Sequence, residues 1–396
     1  MRERVINWAK NNHSFLKFAY LTTRKVFNAV GLFTPVKKKI LFSSFGGRGF
    51  NDSPYALYCR ICEDERFDDY ELVWAFVSPE NHTVPRGRTV KIDTPAFFKE
   101  LLSSEIWVSN AGIDRGIELS KRKHISVETW HGTPIKKIGD DSNDNTALNE
   151  NKLREKDSTT IRCAQSEYDL EIFERVLNAT RDSFLLCDLP RNDELCNSDI
   201  AERKKRIRNA FDIPDEKKVL LYMPTYREYW QDKSGLTEMK QFINVERWEA
   251  ELGDKYVLLV RAHYAVNKHI DFQGSLFVRD VSDYSNLNDL FIVSDILISD
   301  YSSAMIDYSI LDRPILCYAM DYDEYLLKRG TYVDINSFLP CPVDKDEMVL
   351  IDRIKHLNYE SYSQRSREFH GKYAPHAGHA TETVIEEIAK RTFLDA

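Results

Sequence analysis

Apolar residues fall along most of the chain in short runs that alternate with amphipathic stretches. Lys39–Phe45, Tyr70–Val77, Glu105–Ser109 and His124–Trp130 are β-rich runs and predict strands, and helical spacing predicts helices over 53–64 and 95–104. A further strand and helix, near 161–165 and 167–177, follow a polar loop at 140–158. This alternation is the βαβ rhythm of a parallel sheet. Residues 197–218 are highly charged with one proline and read as a helix plus linker. Beyond them the rhythm restarts, with strands expected at 218–223, 256–261, 276–278, 295–299 and 314–318 and helices at 244–252, 286–293 and 302–311. The expected α/β architecture is two Rossmann-like domains, 39–196 and 218–396, joined by a linker at 197–217. Ligands belong in the cleft between the carboxyl ends of their strands.

Residues 1–38 are patterned differently. Lys10, Lys17 and Arg24 recur every seven residues on one helical face, while Val5, Trp8, Phe15, Ala19, Val26, Val30 and Phe33 cluster on others. Basic side chains beside an apolar face describe a helix lying in the plane of a membrane, although a helix packed on its own protein or on a partner shares the pattern. No apolar stretch reaches the roughly 18 residues that a spanning helix needs. The best candidate, 14–33, is interrupted by Lys17, Arg24 and Lys25, so neither a transmembrane nor a cleaved signal segment is expected. Charge sharpens this picture. The 55 Lys and Arg against 63 Asp and Glu give −8 overall, but residues 1–40 carry nine basic side chains and one acidic, so a head of +8 precedes a body of −16. Such a head seeks anionic surfaces that the body avoids.

Composition excludes several classes. With 42% apolar and 12% aromatic residues, 15 Gly and 13 Pro, the chain is neither disordered nor collagen-like nor of low complexity. Seven scattered cysteines, an odd number, point to a reducing compartment. Cys59 and Cys62 have the spacing of a redox pair or half a zinc site, but no second pair exists and they fall within an expected helix.

The chemistry concentrates at strand ends. His124–Trp130 runs into His131-Gly132-Thr133-Pro134, followed by Lys136. Gly132 permits a sharp turn that aims His131 at the cleft, and Thr133 suits the cap of a helix opening at Pro134. A neutral imidazole there can take a proton from an alcohol; a structural histidine bonded to its own loop is the alternative. Tyr256–Val260 ends in Arg261-Ala262-His263, whose alternation puts guanidinium and imidazole on one side, an arrangement that suits a phosphate better than a hydride or an acyl group; a lone surface Arg–His pair is the alternative. Ile296–Ser299 ends in Asp300-Tyr301-Ser302-Ser303, where hydroxyls and unpaired amides at a helix start suit a diphosphate, or serve simply as caps. Thr225 and Arg227 follow the strand 220–223, and Arg191 and Asn192 follow the apolar run 184–187. No glycine-rich nucleotide loop and no metal-binding motif is present, so no metal is implied.

Strand–HGTPIKKIG, LPRNDEL, LYMPTYRE, LLVRAH and NDLFIVSDILISDYSSAMIDYSILDRPILCY, spread over about residues 40–345, resemble the CDP-glycerol glycerophosphotransferases of bacterial wall teichoic acid synthesis. The resemblance implies a GT-B fold, catalysis at the cytoplasmic face of the membrane, and transfer of glycerol phosphate, or a related polyol phosphate such as ribitol phosphate, from a CDP-activated donor to a lipid-linked acceptor. It implies no cofactor beyond that donor and no nucleic acid, and leaves a homo-oligomer open. It matches His131 to the catalytic base, His263 to a second active-site histidine, and Ser302 and Ser303 to serines near the donor diphosphate. One departure is Asp52-Ser53-Pro54, where the family often has Asn-Pro. The competing expectations are a GT-B glycosyltransferase using a nucleotide sugar and a membrane-recruited scaffold with a dead transferase fold.

Overall fold

The computed structural model describes residues 13–141, 157–197, 199–225, 227, 243–261 and 275–394. Seven parallel strands form the first sheet, in the order β3-β2-β1-β4-β5-β6-β7. They are β1 Lys37–Ser43, β2 Glu71–Phe76, β3 Arg88–Lys91, β4 Ser104–Ser109, β5 Ile125–Glu128, β6 Ile161–Ala164 and β7 Phe184–Leu186. Six parallel strands form the second, in the order β10-β9-β8-β11-β12-β13. These are β8 Lys218–Met223, β9 Tyr256–Val260, β10 Val278–Asp280, β11 Ile296–Ser299, β12 Ile315–Tyr318 and β13 Val343–Asp344. In each sheet the order reverses once, beside β1 and β8, which opens a crevice at the carboxyl ends there.

Parallel strands covered on both faces read as continuous apolar runs, and that is why the central strands were legible. In β1, Ile40 and Phe42 pack with Leu57, Tyr58 and Ile61, while Leu41 points the other way to Phe97, Leu101 and Trp107. In β8, Val219 and Leu221 serve one core and Leu220 and Tyr222 another. The GT-B-like, two-sheet architecture expected from the sequence is present.

Some elements differ from expectation. β10 lies two residues beyond the strand expected at 276–278, and β5 stops at Glu128 because Trp130 adopts φ 59°. The helix Ile200–Ala210, inside the expected linker, packs on the second half through Ile207, with Arg203 bound to Asp289 at 2.6 Å and Lys204 to Asp295 at 2.6 Å. The helix Ala380–Ala389 leaves the second half, which the sequence pattern extends over 218–396, and crosses back to the first. Its apolar face of Ala380, Val384, Ile385 and Ile388 joins the core of Leu57, Ile61 and Phe67. Asp193 caps it by accepting from the Ala380 and Thr381 amides at 3.0 and 2.7 Å, and Arg60 and Arg66 pair with Glu382 and Glu386.

At the amino end, the helix His13–Phe33 rests Phe27 on Phe98, with ring centroids 4.8 Å apart, and leaves Phe33 89% exposed. Lys10 lies outside the described residues. Among those described, no helix is long and apolar enough to cross a membrane.

Candidate active site

Backbone conformation builds the first wall of the site. After β5 the chain passes through Trp130 at φ 59° and Gly132 at φ 140°. A bulky residue in the left-handed region needs its surroundings to hold it. The Trp130 indole is held against Phe173 at 5.4 Å and stacks on the His131 ring at 4.6 Å. His131 Nδ1 donates to the Asn110 carbonyl at 2.8 Å, which leaves Nε2 as the lone-pair nitrogen. The imidazole is open to water on one side, yet protein crowds it closely on the others. That burial pushes its pKa below 6.5; the Asn110 carbonyl and the Asp52 charge pull it up, and Arg191 pushes it down. Neutral imidazole is the form that accepts a proton.

Gly132 joins the two halves. A Cβ built there meets Ser303 Oγ at 2.3 Å and Ser303 Cβ at 2.9 Å, so the turn after β5 and the serine pair after β11 lie in contact. Ser302 Oγ accepts from the Ala304 amide at 3.2 Å, as a cap does. The Ser303 side chain makes no capping bond, and the helix it precedes, Ala304–Ser309, is short.

Thr133 does not cap a helix, because none begins at Pro134. Its buried hydroxyl sits 3.0 Å from Gln165 Oε1 and 3.1 Å from Asp169 Oδ2. Residues 135–138 run extended to the second half instead. Lys136 forms an antiparallel bridge with Thr331, the Tyr332 amide donates to the Ile135 carbonyl at 2.9 Å, and the Lys137 amide donates to the Gly330 carbonyl at 3.3 Å.

Arg191 reaches the cleft floor, but its guanidinium is committed. Nη1 binds Asp52 at 2.6 Å, and Nη2 binds Asp307 at 2.7 Å and the His131 carbonyl at 3.1 Å. Asn192 Nδ2 donates to Asp188 at 3.0 Å and to Asp307 at 2.9 Å, and Gln165 Nε2 donates to the same two carboxyls at 2.8 and 3.2 Å. Three carboxyl groups, of Asp169, Asp188 and Asp307, are thus buried where the halves meet. Burial first and the Asp307 charge second push Asp188 up to about 8. Burial also pushes Asp169 up to about 7, against the Gln165 amide and Thr133 hydroxyl.

The arginines expected to hold a diphosphate part company. Arg227 is 2% exposed, paired with Asp300 at 2.9 Å and Asp321 at 2.6 Å, and lies over the rings of Tyr301 and Tyr325. Asp300 also accepts from the Thr225 amide at 3.0 Å, so Thr225, Arg227 and Asp300 knit the ends of β8 and β11 together. Arg261 donates to the Tyr284 carbonyl at 2.7 Å and has no carboxylate partner among the described residues; burial alone pushes its pKa down. A half-buried cation with no carboxylate partner among the described residues is the kind of group that an anion stabilises. His263 lies outside the described residues.

Sequence reading missed Asp52, Asn110 and Asp307 as site residues. Asp52, at φ 63°, heads the helix Asp52–Cys62; Asn110 donates to its carboxylate at 2.9 Å and accepts from the Phe45 amide at 2.7 Å. The one available signal was the departure from Asn-Pro at 52–54. Cys59 and Cys62 are free thiols inside that helix, pushed up chiefly by burial, which makes them poor nucleophiles.

With this geometry in place, comparisons with known proteins are informative. A sequence model described as CDP-glycerol:poly(glycerophosphate) glycerophosphotransferase matches residues 26–390. The chain is 31% identical over 370 residues to the teichoic acid glycerol-phosphate transferase of Staphylococcus aureus, covering 90% of this chain and 94% of that protein. It is 32% identical over 352 residues to the teichoic acid poly(glycerol phosphate) polymerase of Staphylococcus epidermidis, covering 85% of this chain but only 48% of that protein. The chain therefore spans about half the length of the latter relative. Among solved structures, the wall teichoic acid polymerase TagF superposes with a TM-score of 0.82 at 29% identity, covering 98% of both chains. A histidine-to-asparagine variant of that polymerase soaked with CDPG gives 0.83 at 28% identity, covering 98% of this chain and 96% of that one.

Proposed function

Because the chain belongs to the CDP-glycerol:poly(glycerophosphate) glycerophosphotransferase family, we propose that it transfers glycerol phosphate from CDP-glycerol to a hydroxyl of a lipid-linked acceptor in teichoic acid synthesis, releasing CMP. The observation that carries this is the contact across Gly132, which sets the neutral, outward-facing imidazole of His131 beside the Ser303 loop of the other half. The CDPG soak of the related polymerase supports the donor.

His131 Nε2 takes the acceptor's hydroxyl proton as that oxygen attacks the β-phosphorus. The bond from the β-phosphorus to the bridging oxygen breaks, and CMP leaves. Arg261, His263, Ser302 and Ser303 hold the diphosphate and absorb the charge that develops on the leaving group. Phosphoryl transfer asks mainly for such positioning and electrostatic stabilisation. Arg191, Asn192, Thr225, Arg227 and Asp300 act behind this layer by fixing the loops. No cofactor beyond the CDP-polyol takes part. The basic, apolar amino-terminal segment seats the enzyme on the cytoplasmic membrane face, where the lipid-linked acceptor resides.

The test is CMP release with a lipid-linked acceptor and each of CDP-glycerol, CDP-ribitol and a UDP-sugar. Release with the UDP-sugar alone would overturn the reading. His131→Ala lowers turnover about 10²–10⁴-fold if the imidazole is the base, and near-normal turnover removes the assignment.

A further inference from the structure

The membrane surface just proposed was assigned to the amino-terminal segment alone. The structure adds a second piece of chain to it. The loop 118–123 is tied to the helix His13–Phe33 by hydrogen bonds: Asn28 Oδ1 accepts from the Ser120 amide at 2.6 Å, Asn28 Nδ2 donates to the Glu118 carbonyl at 3.3 Å, and Lys123 Nζ donates to the Leu32 carbonyl at 2.8 Å. Between helix and loop lies a cavity of about 450 Å³, lined by Leu21, Arg24, Lys25 and Leu32 on one side and by Ser120 and Arg122 on the other.

Its charge is one-sided. Glu118, the acidic side chain beside the cavity, is taken by Arg24 at 2.8 Å. Lys25 and Arg122 are both exposed and have no carboxylate partner among the described residues. Apolar surface runs alongside. Val26, Val30 and Phe33, at i, i+4 and i+7, are 53%, 50% and 89% exposed, so a helical ridge of large apolar side chains faces solvent near two cations that lack a carboxylate partner among the described residues. Water satisfies the cations but not the ridge; a bilayer with anionic headgroups satisfies both.

We propose that this cavity is a headgroup site, in which the phosphate of an anionic phospholipid enters between Lys25 and Arg122 while Val26, Val30 and Phe33 dip into the acyl boundary. The proposal rests on the membrane reading above and differs from it in one respect. Arg122, a residue far outside the amino-terminal segment, belongs to the docking surface.

The experiment is cosedimentation of the full chain with vesicles of phosphatidylglycerol or of phosphatidylcholine. Wild type binds the phosphatidylglycerol vesicles selectively. Each neutralised cation weakens binding about 5-fold, so Arg122→Gln loses about 5-fold and Lys25→Gln with Arg122→Gln about 25-fold. Lys372→Gln, on the helix Tyr359–Tyr373, serves as a charge-matched control and leaves binding unchanged. If wild type binds neither vesicle, the membrane reading and the headgroup site both fall. If wild type binds phosphatidylglycerol and Arg122→Gln binds equally well, the headgroup site falls alone. Full competition by soluble glycerol 3-phosphate, with no dependence on the bilayer, also overturns it.

Discussion

Gly132→Ala probes the contact on which the proposed chemistry depends. The new Cβ arrives 2.3 Å from Ser303 Oγ and 2.9 Å from Ser303 Cβ, whereas ordinary contact starts at 3.4 Å, so the Ser303 hydroxyl must move by about 1 Å and its loop with it by about half as much. Residue 132 also sits at φ 140°, where an L side chain costs about 1–3 kcal/mol. Displacement of reacting groups by about 1 Å costs on the order of 10²-fold in rate. The expected result is kcat/KM down about 10²-fold, measured as CMP release, with a melting temperature lower by a few degrees. Adding Ser303→Gly removes the clash and keeps the backbone strain. The double variant is therefore faster than the product of the two single effects, while part of the loss in melting temperature persists. Activity of Gly132→Ala within two-fold of wild type, or single effects that simply multiply, refutes the contact as the element that sets the site.

Four further outcomes separate roles within the site. Arg261→Met raises KM for CDP-glycerol about 10–100-fold with the fold intact, since a charge-assisted hydrogen bond to phosphate contributes about 1.5–3 kcal/mol. Arg227→Met instead strands Asp300 and Asp321, and loses about 3–5 kcal/mol of stability in denaturant unfolding. Asp52 holds the His131 pKa up, and protonated imidazole cannot act as base. The acid limb of the kcat/KM profile, already below pH 6.5, therefore moves lower in Asp52→Asn, and an upward shift contradicts the assignment. Asp188, raised from 3.8 to about 8, binds its proton in the folded state and not in the unfolded one, so stability falls as pH rises towards 8. Asp188→Asn, which preserves the acceptor for Gln165 and Asn192, flattens the melting temperature between about pH 6 and 8; an unchanged slope argues against a protonated carboxyl there.

How much of this could be read from the sequence depended on distance along the chain. Strands β1, β8 and β11 announced themselves because burial on both faces makes an unbroken apolar run. The apolar run 184–187 marked β7, but β3 and β13, short and at sheet edges, gave no such signal. His131, Ser302 and Ser303 could be found because each follows the carboxyl end of a strand. Arg191 and Arg227 were found for the same reason, and so was Asp300, but the pairing of these arginines with carboxylates was not. Asp52 and Asp307 lie 139 and 116 residues from Arg191, and Asp321 lies 94 residues from Arg227, so local pattern could not show that these cations were already neutralised. Thr133 and Pro134 had the chemistry of a helix start, yet tertiary pairing with residues 330–332 drew the segment straight. Local capping preference yields to such contacts.

The returning helix Ala380–Ala389 bears on how the chain acquires its shape during synthesis. The first half's last strand, β7, ends at Leu186, but the core around Leu57, Tyr58 and Ile61 is completed by Val384, Ile385 and Ile388. At about 5–20 residues per second, the intervening stretch takes about 10–40 s to translate. For that interval the half made first stands with one side of its core bare, and the half made second closes around its own centre before the last residues return to cover the first.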